Sequence, residues 1–149
     1  MPITWQIPTI ILLTLIFQKK VVFKAFSIYI ILGLFFFPVF HEGGSIGYLL
    51  TPNFGYLLGV FPLIKIIDNL NTKNKINIGN FLTNGFIAIS AMHLTGIFYN
   101  FIQIIFYSQF NLFLYNLGKL SAGKIGYHFL MLFPLLLLIK PIKLLKHNK

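Results

Sequence analysis

Residues 21–40 read VVFKAFSIYIILGLFFFPVF, a stretch with one charged side chain, Lys24, in twenty positions. A half-buried strand alternates apolar and polar residues, and a soluble amphipathic helix keeps a polar face. This stretch does neither. Its length is near the roughly 20 apolar residues that carry a helix across the hydrocarbon core of a bilayer. In lipid, every backbone N–H and C=O must be paired inside the segment or in a closed barrel, so a continuous apolar run of this kind is expected to be a spanning helix.

The same pattern recurs on either side. Apolar segments at about 3–17, 54–67, 81–107 and 125–139 complete a set of five expected spans, with the shortest two at 3–17 and 54–67. Across all 149 residues, 57% are hydrophobic and 9% charged; a soluble domain carries about 25% charged residues. The fold class expected is therefore an all-α integral membrane protein, a polytopic helical bundle forming a single transmembrane domain over residues 1–149.

All twelve cationic residues are lysines, and the net charge is +10. They cluster at the ends of apolar runs and in short loops. That distribution fits membrane orientation better than binding to nucleic acid. With the loop at Lys19, Lys20 and Lys24 in the cytoplasm, Lys65, Lys73, Lys75, Lys140, Lys143, Lys146 and Lys149 also fall inside, leaving Lys119 and Lys124 outside. The C-terminus is then cytoplasmic and Met1 external, and a further helix upstream would give six spans with both ends inside. The acidic residues are Glu42 and Asp68, the latter expected in a solvated polar loop, and there is no cysteine. A carboxylate pair for acid–base chemistry in the outer loop is missing, as is a thiolate metal site. There is no Gly-x-x-x-x-Gly-Lys-Ser/Thr phosphate loop, so any ATP-driven step needs a partner chain.

Residues 41–59 read HEGGSIGYLLTPNFGYLLG. Gly43, Gly44 and Gly47 permit turns closed to other residues, and Pro52 interrupts a helix. Gly55 and Gly59, one turn apart, form a face on which a neighbouring helix can approach closely. The segment reads either as a loop with a helix-packing face or as a loop closing over a small ligand. Further on, His93, Gly96 and Asn100 share a helix face, as do Met92, Tyr99 and Gln103. Polar groups inside a span bond to a neighbouring helix or line a cavity. A metal site from His41, His93 and His128 would use residues on separate elements with no local ligand spacing. No cofactor is expected.

The ordered string Leu32-Gly33-Leu34, Phe37-Pro38-Val39-Phe40, Gly43-Gly44 and Gly47 through Gly59 resembles the signature of the BioY family, the biotin-binding S components of energy-coupling-factor transporters. Pro2-Ile3-Thr4-Trp5-Gln6 resembles that family's Pro-Ile-Thr-x-Gln element, which follows its first transmembrane helix. The resemblance is clearest from Pro2 to about Asp68. It implies uptake of biotin or a related small vitamin at the plasma (inner) membrane, and partnership with a membrane coupling protein and two ABC-type ATPases. The last helix departs from the family's Gly-Asp-x-x-Lys-like element: His128 or Tyr127 stands where the acid is expected, and the lysine is missing. The substrate-binding residues this implies are Gln6 and Asn100 for an amide or ureido group, and Tyr56 and Tyr99 for ring packing. Gly44 would give close backbone approach, His93 a cavity wall, and His128 would take the position of the acid. Alternatives to transport are a non-transporting membrane assembly protein or relative with an altered ligand, and a small intramembrane enzyme using His93, His128 and Tyr99.

Overall fold

A computed structural model describes residues 5–40, 43–72, 77–107 and 110–147. The described chain is almost entirely helical, the main exception being residues 36–40 and 43–45, where Phe40 and Gly43 pair in a short antiparallel bridge. It runs α1 (Gln6–Ile16), α2 (Lys19–Phe35), a 3-10 turn (Ile46–Leu50), α3 (Pro52–Leu58), α4 (Val60–Thr72), α5 (Ile78–Tyr107), α6 (Phe110–Asn116), a π-helical segment (Leu117–Ala122), α7 (Gly123–Leu130) and α8 (Leu132–His147). The result is an all-α helical bundle, the expected class.

The helices differ from the five expected spans in three places. First, α2 stops at Phe35, five residues early, because Phe36 and Phe37 both turn their N–H groups back to the Leu32 carbonyl, and Pro38 offers no N–H to continue. Second, the expected third span is two helices. Pro52 begins α3 in the first turn, where its missing N–H costs nothing, and the helix breaks at Gly59 before α4 resumes. Third, residues read as an outer loop are helical: Phe110–Leu130 forms one run that continues into Leu132–Ile142 across a 40° bend. Lys119 and Lys124 therefore sit on helical turns rather than in a loop.

Helix α5 is the central post. Within it, Ile78–Ile105 is the one segment among the described residues that alone is long and apolar enough to cross a membrane; the bent run of α6 to α8 passes the same test as a pair. At 30 residues, α5 is roughly 45 Å long, whereas the 11 residues of α1 reach only about 16 Å. The broken pair α3–α4 packs along α5, with α1 against α4 on the far side. Leu63, Ile64, Ile67, Phe81, Ile89 and Leu132 are wholly buried where these helices meet.

Much of the outer surface is apolar as well. Leu137 is 81% exposed and Ile105 71%, with Phe36, Leu94 and Phe98 close behind. Water does not tolerate so continuous an apolar exterior on a folded monomer, whereas lipid tails do. Two polar residues inside tie helices together. Asp68 is buried in α4, not solvated as expected, with its Oδ2 3.7 Å from Lys19 Nζ at the start of α2. Asn71 donates from Nδ2 to the Thr14 carbonyl at 2.7 Å, tying α4 to the end of α1.

Candidate functional site

Where α1, α3, α4, α5 and α7 converge, they leave a cavity of about 110 Å³. Several water-sized positions fit in that space. Its frame is aromatic and aliphatic: Tyr29 of α2, Phe40, Tyr48, Leu57, Val60, Met92 and Leu120. Ring contacts knit part of this frame together, with Phe40 4.4 Å from Tyr48 and 5.5 Å from Tyr29, centroid to centroid. Set into it are the polar side chains of Gln6, Asn53, Tyr56, Lys124 and His128. An apolar lining with a few convergent polar groups is the usual build of a small-molecule site.

Three of the residues expected from the sequence line this cavity: Gln6, Tyr56 and His128. His128 and Tyr127 were alternatives for the position of the acid. His128 lines the cavity, while the Tyr127 hydroxyl is buried elsewhere without a hydrogen-bond partner. His93 stands directly behind the wall, 2% exposed. Its Nε2 is 3.0 Å from His128 Nδ1 and its Nδ1 3.3 Å from Ser121 Oγ; Ser121 Oγ in turn lies 2.6 Å from the Tyr56 hydroxyl.

The other three expected residues sit elsewhere. The Tyr99 hydroxyl donates to the Leu49 carbonyl, and Gln103, one turn along α5, donates to the Leu50 carbonyl at 2.8 Å. Together they fasten the Ile46–Leu50 turn, which carries the cavity-lining Tyr48, onto α5. Asn100 borders a different space, about 230 Å³, beside Gln103 and Asn116. Its Nδ2 donates to the Gly96 carbonyl at 2.9 Å, and its Oδ1 is buried without a partner. Gly44 lies against α2, where a Cβ would stand 2.5 Å from the carbonyl oxygens of Gly33 and Phe37, so its small size serves loop packing. His41 and Glu42 fall outside the described residues. Among the described residues, no group of three His, Cys, Asp or Glu side chains could hold a metal.

Lys124, Ser121 and Asn53 were not expected at the site. Lys124 and His128 are four residues apart and Ser121 three before Lys124, so all three share one face of the run through α7. That spacing was visible in the sequence. Spans drawn at 81–107 and 125–139 leave it in the connection between them, where Asn116, Gly118, Lys119, Ser121, Gly123 and Lys124 interrupt the apolar pattern. The π-helical turn at Leu117–Ala122 brings Leu120 and Ser121 inward despite that composition.

The sequence profile of the BioY family matches residues 1–133. A protein named probable biotin transporter BioY, from Lysinibacillus sphaericus, is 30% identical over 108 residues, which is 69% of this chain and 53% of that protein. The chain thus spans about half the length of the curated relative it matches. No solved structure matches the chain. With a profile match running from α1 to the start of α8, across every element that lines the cavity, the chain belongs to the BioY family.

Proposed function

We propose that the chain binds biotin in the cavity beneath the Ile46–Leu50 turn and serves biotin uptake as the substrate-binding subunit of an energy-coupling-factor transporter. The observation that carries this reading is the convergence of Lys124, Gln6, Tyr56 and His128 on one aromatic-walled space inside an apolar bundle. Biotin combines an ionised valerate tail with a ureido ring. A lysine ammonium suits the carboxylate, because a hydrogen bond between two ionised groups is stronger than a neutral one. The Gln6 amide offers both a donor and an acceptor to a urea, and His128, whose Nδ1 is held by His93, offers its Nε2 as either a donor or an acceptor. Tyr29, Phe40 and Tyr48 would pack on the apolar faces of the rings. Membership of the family and the name of the relative support the choice of ligand.

At about 110 Å³ the space is smaller than the roughly 300–1,000 Å³ of sites for drug-sized ligands, so a wall must yield as biotin enters. The wall suited to this is the Ile46–Leu50 turn, tethered through the side chains of Tyr99 and Gln103. The chain has no phosphate loop of its own, and its partners on this reading are a membrane coupling protein and two ABC-type ATPases. The lysine distribution supports a plasma-membrane protein with its C-terminus in the cytoplasm. The test is binding of radiolabelled biotin to the detergent-purified protein. Saturable binding that unlabelled biotin displaces is expected. Absence of saturable binding by folded protein would remove biotin as the ligand.

A further inference from the structure

We infer that Tyr56, Ser121, His93 and His128 form one hydrogen-bonded chain with both ends on the cavity, in which one end donates only when the other accepts, so that the site selects a ligand presenting both an N–H and a carbonyl oxygen. This deepens the ligand reading above and rests on that cavity being the ligand site.

The argument is a count of hydrogens. Three links join the four side chains: Tyr56 Oη to Ser121 Oγ at 2.6 Å, Ser121 Oγ to His93 Nδ1 at 3.3 Å, and His93 Nε2 to His128 Nδ1 at 3.0 Å. The rings' bonded partners here are a hydroxyl and one another, with no carboxylate to offset an imidazolium, so both rings are neutral. Each hydroxyl then brings one hydrogen and each imidazole one, four in total, and the three links consume three. One hydrogen is left over, and it must emerge at an end.

Two arrangements satisfy every link. In the first, Tyr56 donates to Ser121, Ser121 to His93 Nδ1, and His93 Nε2–H to His128 Nδ1. His128 then presents Nε2–H to the cavity, and the Tyr56 oxygen is left as an acceptor. In the second, every bond is reversed, so His128 Nε2 accepts and the Tyr56 O–H donates. Tyr56 and His128 both line the cavity, so a ligand meets one donor and one acceptor in either case. A ligand with only acceptors, or only donors, leaves one end unmatched, and an unmatched buried polar group costs more than a made bond returns. Cyclic ureas and lactams have the fitting pair. His93 and Ser121 are thus positioning residues, which set what His128 and Tyr56 present without touching the ligand.

The chain requires the two rings to share a tautomer. Opposite tautomers would set two N–H groups, or two lone pairs, face to face across 3.0 Å. Nitrogen-15 NMR of histidine-labelled wild-type protein in detergent at neutral pH reads this directly, with signals assigned from His93→Gln and His128→Gln spectra. Expected are two neutral rings of the same tautomer, both Nε2–H or both Nδ1–H, before and after biotin is added. Opposite tautomers, or a doubly protonated ring, would overturn the inference. A second arm uses Ser121→Ala, which cuts the chain between Tyr56 and His93. Biotin affinity is expected to fall about tenfold, read on variant protein that elutes from size exclusion as the wild type does. Unchanged affinity would overturn the coupling of the two ends. If wild-type protein fails to bind biotin, the ligand reading fails, while the tautomer measurement still judges the chain by itself.

Discussion

Gly59, at the break between α3 and α4, lies so close to Met92 of α5 that a Cβ on it would stand 2.5 Å from the Met92 carbonyl oxygen and 2.9 Å from its Cα. Four residues earlier, Gly55 meets the Tyr99 side chain in the same way. The broken helix and the central post therefore touch along a face that only glycine allows. That contact sets the distance across the cavity, because Tyr56, Leu57 and Val60 on one side and Met92 on the other all line it.

Gly59→Val is expected to destabilise the bundle. The obstacle is backbone rather than the tip of a flexible side chain, so the helices must separate, at a cost of about 1–3 kcal/mol. Thermal unfolding of the detergent-solubilised protein, followed by size-exclusion chromatography, should show a lower midpoint. An unchanged midpoint would mean that α3–α4 and α5 are not in contact here.

Lys124→Met keeps most of the apolar stem and removes the charge. Biotin affinity should drop about tenfold or more, the scale of one hydrogen bond to a charged group, about 1.5–3 kcal/mol. Biotin amide, which lacks the carboxylate, should bind the variant and the wild type about equally. An equal loss for both ligands would place the carboxylate away from Lys124.

Tyr99→Phe keeps the ring against Gly55 and Phe54 and deletes the hydroxyl that holds the Leu49 carbonyl. The Ile46–Leu50 turn should then open more readily. Biotin dissociation measured by isotope chase is expected to speed up several-fold, since one neutral hydrogen bond contributes about 0.5–1.5 kcal/mol. A dissociation rate equal to wild type would argue that this turn is not the wall that moves.

Asn100→Leu replaces a buried amide whose Oδ1 has no partner with an apolar side chain of similar size. Stability should stay level or rise slightly, because a desolvated, unmatched acceptor is removed. Biotin affinity should stay within about twofold of wild type, since Asn100 borders a separate space. A large loss of affinity would bring Asn100 back into the biotin site.

The sequence by itself determined the class of the fold and the places of closest helix contact. Continuous, non-alternating apolar runs such as 21–40 satisfy their backbones in lipid mainly as helices, here as far as Phe35, and Gly55 and Gly59 one turn apart mark a face for close packing whatever lies opposite. Both follow from local chemistry, which a linear reading captures. Tertiary structure alone decided which polar side chains meet. His93 and His128 are 35 residues apart, and Tyr56 and Ser121 65; their pairing depends on how α3, α5 and α7 rotate about their axes, which no local pattern encodes. The same holds for Lys124. Its polar surroundings at 116–124 look like a loop because that signal registers contact with something polar, and the folded bundle makes that something an internal cavity instead of the aqueous edge of the membrane.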